Sequence, residues 1–447
     1  MAAETQYIDL FAQSEGLLNR GAAPALNALR RPAIEALRKL GFPTTKSETH
    51  RYTDLEALFA PDYGMNLQRL PIPTRPQDAF KCEVPNMSTQ LYFVVNDQFY
   101  SATPATDQLP EGVLIGSLRQ MALEHPALVE KYYGRLAPWD TDSVAALNTA
   151  YCQDGLLIYV PRGVKVPRIQ QLVNLNHAGV DLMSHRRLLI ILEEQAELSL
   201  LACDHSMDDR RFLSTQIVEA YVGRGASFDF YELEETHEKT ARCAGLYLRQ
   251  EADSRVCLNN MTLHNGTTRN DVRVVLAGEG ADTALLGMAI SDKEQHVDNF
   301  THIEHAVPRC TSRELYKYVL NGHAVGAFSG KVLVRQGAQK TESQQTNKNL
   351  CMTRTARMYT QPQLEIYADD VKCGHGSTIG QLDENALFYM QARGIPEAEA
   401  RLLLMFAFVA DVIDHVRIPA LADRLHHLVE KRFRGELHKC EGCKICK

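Results

Sequence analysis

The sequence predicts a mainly β chain: a β-helix core with a helical region on either side. Three observations point there. Residues 151–382 carry almost no helical periodicity; short apolar or alternating runs dominate, among them Leu156–Val160, Leu188–Leu192, Leu198–Leu201, Phe228–Tyr231, Leu246–Leu248 and Val272–Leu276. Within this stretch a phrase recurs, a polar turn followed by alanine and then alternating apolar residues, at Ala196, Ala226, Ala252 and Ala281, with echoes at Ala324 and Ala338. A near-regular echo of this length marks stacked repeats, and repeats made of strands alone make a β-helix. A β-sandwich with similar turns is the competing architecture; the recurring alanine favours the coil, because a small residue fits an inward-facing corner. The third observation is that the helical patterns lie outside this stretch.

The N-terminal region, 1–150, reads as mostly helical. Ala25–Leu40 is amphipathic, with Leu26, Leu29, Ile34, Leu37 and Leu40 near one face, and Pro32 predicts a kink or two shorter helices. Gly41 and Pro43 end the pattern. Asp54–Phe59 predicts a short helix, Ser117–Tyr133 a longer one, and Leu91–Tyr100 a strand pair turned at Asn96-Asp97. After the core (151–382), the C-terminal region (383–447) predicts three helices. The first is capped by Asp383 and stopped by Gly394, the second has Pro396 in its first turn and an apolar run Leu402–Val412, and the third spans Ala420–Phe433. These helices are more apolar than a lone hairpin can hide, so they must pack on the end of the core or on another protein.

Composition excludes some classes. A net charge of −7 over 447 residues argues against a dedicated nucleic-acid binder. No run approaches the roughly 20 apolar residues of a membrane span, and the start Met-Ala-Ala-Glu-Thr-Gln lacks a basic and apolar leader, so the expectation is a cytoplasmic protein. In a reducing compartment the 11 cysteines are not a disulfide framework. Cys82, Cys152, Cys203, Cys243, Cys257, Cys310 and Cys351 read as small buried hydrophobes.

The other four cysteines carry the chemistry. Ala368-Asp-Asp-Val-Lys-Cys-Gly-His-Gly-Ser377 sets Cys373 and His375 two apart; on an extended segment they project to one face, while Gly374 points away and leaves room for a neighbouring backbone. Thiolate and imidazole together suit zinc, copper(I) or iron–sulfur chemistry, but two ligands do not close a site. Lys372 and His375 are also placed to lower the thiol pKa. The tail His438-Lys-Cys440-Glu-Gly-Cys443-Lys-Ile-Cys446 offers three thiols and an imidazole, sufficient for zinc or a cluster. The bland reading of both is packing or surface residues and an oxidisable tail.

Other motifs fail. His302-Ile-Glu304-His305 lacks the His-x-x-x-His spacing of a zinc protease, and Gly322–Lys331 has Val325 and Val332 where a phosphate-binding loop needs Gly and Ser or Thr. There is no nucleophile elbow and no dinucleotide fingerprint. Asp369-Asp370 on a strand would face opposite ways, against a carbohydrate-cleaving pair.

Several stretches carry a family resemblance: Gly41-Phe-Pro-Thr-Thr-Lys-Ser-Glu-Thr-His-Arg-Tyr-Thr-Asp-Leu55, Asp154-Gly-Leu-Leu-Ile-Tyr-Val-Pro-Arg-Gly163, Thr346-Asn-Lys-Asn-Leu350, Gln361 through Gly376, Gly380-Gln-Leu-Asp, and Ala386 through Gly394. They resemble the SufB/SufD family of the Suf iron–sulfur cluster assembly machinery, and its SufD branch in particular, since the SufB branch lacks Cys-x-His-Gly at this place. The resemblance implies a right-handed parallel β-helix and a non-catalytic scaffold subunit that pairs with SufB and docks the ATPase SufC through its C-terminal helices. It also implies a nascent iron–sulfur cluster at the SufB interface, with Cys373 and His375 facing it. Some complexes of the family are associated with reduced flavin. A homodimer in the absence of SufB stays open. Cys440, Cys443 and Cys446 lie beyond the matched stretches. The readings that compete are a SufB-like paralogue, a stand-alone β-helix enzyme acting on carbohydrate, which should act without partners, and a metal store built on the tail, which should lose its metal with the tail.

Overall fold

In a computed structural model the described residues are 2–20, 22–70, 89–101 and 109–436. Among them the helices are Ala3–Arg20 (α1), Pro24–Leu40 (α2), Leu55–Phe59 (α3), Leu118–Glu124 (α4), Pro126–Tyr132 (α5), Ser143–Tyr151 (α6), Glu384–Ala392 (α7), Glu397–Asp414 (α8) and Pro419–Phe433 (α9). The strands are Thr89–Val95 (β1), Gln98–Ser101 (β2), Leu114–Ser117 (β3), Leu156–Val160 (β4), Ile169–Asn176 (β5), Leu182–Leu192 (β6), Glu197–Ser206 (β7), Phe212–Val222 (β8), Ser227–Glu235 (β9), Thr240–Gln250 (β10), Arg255–His264 (β11), Thr267–Leu276 (β12), Asp282–Ser291 (β13), His296–His305 (β14), Thr311–Leu320 (β15), Val325–Val334 (β16), Glu342–Cys351 (β17), Arg357–Ile366 (β18) and Lys372–Gly380 (β19).

From β4 onward each strand pairs in parallel with the strand two further on. Odd strands from β5 to β19 form one sheet and even strands from β4 to β18 the other; β1 and β2 extend the first and β3 the second. The chain thus winds into a parallel β-solenoid of about 8 turns, the β-helix the sequence predicts.

The recurring small residue is a corner. At six successive turns a residue with positive φ precedes a buried small side chain: Gln195 before Ala196, Gly225 before Ala226, Asp253 before Ser254, Gly280 before Ala281, Arg309 before Cys310 and Gly337 before Ala338. Two residues therefore change role relative to the sequence reading. The corner of the third turn is Ser254 and not Ala252, which is only half-buried, and Cys310 occupies a corner that the alanine pattern skips. Gly278 is forced at one of these turns: a Cβ there would lie 1.9 Å from the Ala252 nitrogen of the coil below.

Inward-facing side chains fill the solenoid. One half of the interior is apolar, with Leu188, Ile190, Leu200, Phe230, Leu246 and Val274 in one continuous core. Each such side chain contributes about 1.5–3 kcal/mol when fully buried. The other half is polar and charged, with Arg186, Asp204, Glu232 and Arg242 all buried.

The N-terminal helices pack through Phe11, Ile34, Leu37 and Ala146 onto the outer face of the even-strand sheet at Met183, Leu213 and Ala241. α2 runs through Pro32 as one helix. Proline removes one backbone donor, and the buried Ala33, Ile34 and Leu37 hold the turn that follows. The helix expected over Ser117–Tyr133 is two, because Pro126 starts a new one after His125. The strand pair turned at Asn96-Asp97 is present, with Asn96 at positive φ. α8 and α9 do not cover an end of the solenoid. They lie on the flank of the odd-strand sheet, with Val409, Val412, Ile413, Leu425 and Val429 against Tyr231, Met261, Leu286 and Val319. No helix among the described residues is long and apolar enough to cross a membrane.

Candidate functional site

β19 is the terminal strand of its sheet. Among the described residues it pairs with β17 alone, with Ser343 opposite Cys373, Gln344 opposite Gly374 and Gln345 opposite His375. Paired residues of parallel strands share a face. Ser343 and Gln345 are buried in the solenoid interior, so Cys373 and His375 carry that interior face out to the last coil, where no further coil among the described residues covers it. His375 is exposed, whereas Cys373 is half-buried and packs against the apolar core. The sequence expectation that the two share a face holds. Gly374 turns to the opposite face, where a Cβ would stand 3.0 Å from the Gln344 side chain, so its neighbour is a side chain and not a backbone.

The expected lowering of the thiol pKa is not found. Burial raises the Cys373 thiol, offset only in part by a backbone hydrogen bond at Ser343. Lys372 points to the other face and pairs with Glu342 at 3.4 Å. Cys373 is therefore a thiol at neutral pH that becomes a thiolate when a base takes its proton or a binding metal ion displaces it to solvent. Alkylation of Cys373 by iodoacetamide, followed on its peptide by mass spectrometry, should still be accelerating as pH passes 9. A rate that levels off below pH 8 would show an activated thiolate and refute this assignment.

Behind the pair lies a polar stack. Ser312 bonds Ser343 at 2.8 Å and His305 at 2.9 Å, and burial lowers the His305 imidazole to about 4, so it is neutral. Gln345 Nε2 donates to Glu314 at 2.6 Å. Burial raises the Glu314 carboxyl to about 7, with Thr301 and Gln345 drawing it back. Sequence reasoning did not single out Ser343, Gln345 or Glu314. The signal was available in β17, whose inward positions Ser343, Gln345, Asn347 and Asn349 are all polar, whereas other strands such as β9 turn apolar residues inward as well.

The other candidates separate. His302 and His305 lie on opposite faces of β14, His305 buried inside and His302 half-buried outside. Asp369 and Asp370 sit exposed in the turn between β18 and β19 and not on a strand. Cys152, Cys203, Cys243, Cys257 and Cys310 are buried and Cys351 is half-buried, as expected of packing residues. Cys82, His438, Cys440, Cys443 and Cys446 lie outside the described residues. Among the described residues no three His, Cys, Asp or Glu side chains converge as a metal site. Cys373 and His375 therefore form an incomplete set on an open face.

Residues 174–408 match the family model described as SUF system FeS cluster assembly, SufBD core domain, and residues 1–172 match the SufBD protein N-terminal region. The chain belongs to the SufBD family. It is 28% identical over 407 residues to the iron–sulfur cluster assembly protein SufD of Escherichia coli, covering 90% of this chain and 92% of that one. It is 26% identical over 412 residues to a SufBD family protein of Synechocystis, covering 90% of each, and 29% identical over 403 residues to the chloroplastic protein ABCI7 of Arabidopsis thaliana, covering 87% and 82%. Membership of the SufBD family gives the chain a role in iron–sulfur cluster assembly.

Proposed function

We propose that the chain is a non-catalytic scaffold subunit of a SufB–SufC–SufD complex in the cytoplasm. In this reading Cys373 and His375 face a nascent iron–sulfur cluster whose remaining ligands come from a SufB subunit paired along the solenoid. The observation that carries the reading is the open interior face of β19, where a half-buried thiol and an exposed imidazole stand side by side without enough partners to close a site. Iron and sulfide are the cargo there, so a weak, shared ligand set suits transfer better than a closed cage.

Docking of the SufC ATPase is assigned to the C-terminal helices. α8 and α9 bury one face on the solenoid, but Phe388 and Tyr389 of α7 are 71% and 58% exposed and Leu403 of α8 is 40% exposed. Large apolar side chains left exposed on neighbouring helices in this way suit a protein partner. The proposal assigns no flavin to this chain, and it leaves the cysteine tail as a separate metal-binding candidate.

Anaerobic co-purification tests the reading. The tagged chain is co-expressed with SufB and SufC from the same source, and subunit stoichiometry, iron and sulfide are measured for wild type and His375→Ala. The expected result is a complex of unchanged composition that carries less iron in the variant. Equal iron and sulfide in both would remove His375 from the site, and failure of the three chains to associate would overturn the scaffold assignment.

A further inference from the structure

The interior of the last coils holds an arrangement that the Cys373–His375 pair alone does not explain. Glu314 on β15, Gln345 on β17 and His375 on β19 stack in register on one face, each step about 4.8 Å. Glu314 is 3% exposed and Gln345 fully buried. The Gln345 amide is fixed from two sides. Its Nε2 donates to Glu314 at 2.6 Å. Across the interior, Gly330 of β16 leaves the space the amide fills, since a Cβ there would stand 2.4 Å from Gln345 Nε2. With the nitrogen committed inward to a carboxylate, the carbonyl oxygen is left over, and Gln345 Oε1 is buried without a hydrogen-bond partner. Such atoms are rare in native proteins and ask for a donor. The next side chain outward on that face is His375.

We propose that Gln345, held by Glu314, is a positioning residue for His375: its carbonyl oxygen accepts one ring N–H and leaves the other ring nitrogen bare to bind a divalent cation of borderline softness. The inference rests on the reading of Cys373 and His375 as a metal-facing pair. The physical logic is that of ligating histidines generally, whose second nitrogen is oriented by a carboxylate or carbonyl behind it. Here the orienting group has two members, an amide one register step inward of the imidazole and a carboxylate that holds that amide by its nitrogen. In the hydrogen bond present, Glu314 accepts from the Gln345 nitrogen, and this is the amide orientation that leaves the oxygen for His375.

The test uses the full chain with Cys440, Cys443 and Cys446 replaced by serine, so that Cys373 and His375 are read without the tail thiols. Cobalt(II) is the probe, bound anaerobically, with affinity from titration and geometry from the d–d and thiolate charge-transfer bands. In Glu314→Gln the affinity should fall about tenfold and the d–d bands should change. In the swap that combines Glu314→Gln with Gln345→Glu, a carboxylate accepts the His375 N–H directly, and affinity should return to the parent value or exceed it. Parent affinity and spectrum in Glu314→Gln would overturn the proposal, as would a folded swap variant as weak as the single one. If Glu314→Gln does not fold, the swap decides alone: parent-like affinity supports the relay and a loss refutes it. His375→Ala in the same background reports on the underlying reading. If the parent itself binds no cobalt, two ligands do not hold the ion without a partner's, and the relay is judged in the apoprotein from the 15N shifts of His375. One fixed tautomer in the parent and a mixture in Glu314→Gln supports it; the same mixture in both refutes it.

Discussion

Arg242→Ala should destabilise the protein by about 3–5 kcal/mol, read from denaturant or thermal unfolding, because it leaves buried carboxylates without their main counter-charge. The Arg242 guanidinium lies inside the solenoid, 2% exposed, 2.8 Å from Glu232 and 3.4 Å from Asp204, and donates to Asn270 at 2.6 Å. Burial alone pulls its pKa down; Asp204, Glu232 and Glu234 reverse that, and the net shift is upward. Without it Asp204 keeps Arg186 at 2.6 Å, and Glu232 keeps only the neutral donors Gln216 at 3.0 Å and Asn260 at 3.2 Å. Two acids would then share one cation in an interior that water does not reach. Arg242→Met combined with Glu232→Gln removes charge of both signs and should lose less than the single variant, since a buried ion pair contributes little over an uncharged replacement. A loss under about 1 kcal/mol for Arg242→Ala would mean the network behaves as a solvated surface pair.

Such a network also shows why the architecture was legible in the sequence while its interior was not. The β-helix follows from local signals: alternating strands with turns at near-regular intervals. A positive-φ residue before a small buried one marks the corners between an even strand and the next odd strand, and Ala196, Ala226 and Ala281 display that rule plainly. Where the small residue is Ser254 or Cys310 the rule is unchanged but the letter differs, so a pattern sought on alanine shifts by two residues at one turn and skips another. Burial of Arg186 and Arg242 cannot be read locally at all. Their partners are Asp204 and Glu232 on the facing sheet, and the match exists only once the coils stack.

The candidate site divides in the same way. That Cys373 and His375 share a face follows from strand periodicity. That the face is the interior one, and that it is uncovered, depends on β19 being the last strand and on its register with β17. The local sequence invites a lowered thiol pKa from Lys372, but one position along a strand turns a side chain to the opposite face. Lys372 accordingly pairs with Glu342, while Cys373 sinks toward the core and its pKa rises. The C-terminal helices were legible as apolar and in need of cover. Which surface covers them was not, because the flank of the odd-strand sheet is assembled from Tyr231, Met261, Leu286 and Val319, one from each of four coils.

That flank carries the second large expectation: Arg432→Ala should detach the end of α9 from the solenoid. Arg432 is 7% exposed and donates from all three guanidinium nitrogens. Nε reaches the Leu263 carbonyl at 2.6 Å, Nη1 and Nη2 clasp Asp292 at 3.1 and 3.0 Å, and Nη2 also reaches Gln295 at 2.9 Å. These partners lie at the end of β11 and in the turn after β13, so one side chain ties the last helical turn to two neighbouring coils. A two-pronged grip on a carboxylate is specific to arginine, and lysine should restore little of it. Removing a buried partner of this kind costs about 3–5 kcal/mol; Asp292 keeps 31% of its side chain exposed, which moves the expectation to the lower end of that range. The loss should be local, since Lys317 still holds α8 through Asp411 and the Phe408 carbonyl at 2.6 Å. Hydrogen exchange should therefore quicken in Pro419–Phe433 and remain slow in Glu397–Asp414 and in the strands. Protection of both helices lost together would mean the pair undocks as one body, and unchanged exchange in α9 would show that the apolar contacts of Leu425 and Val429 suffice without the arginine.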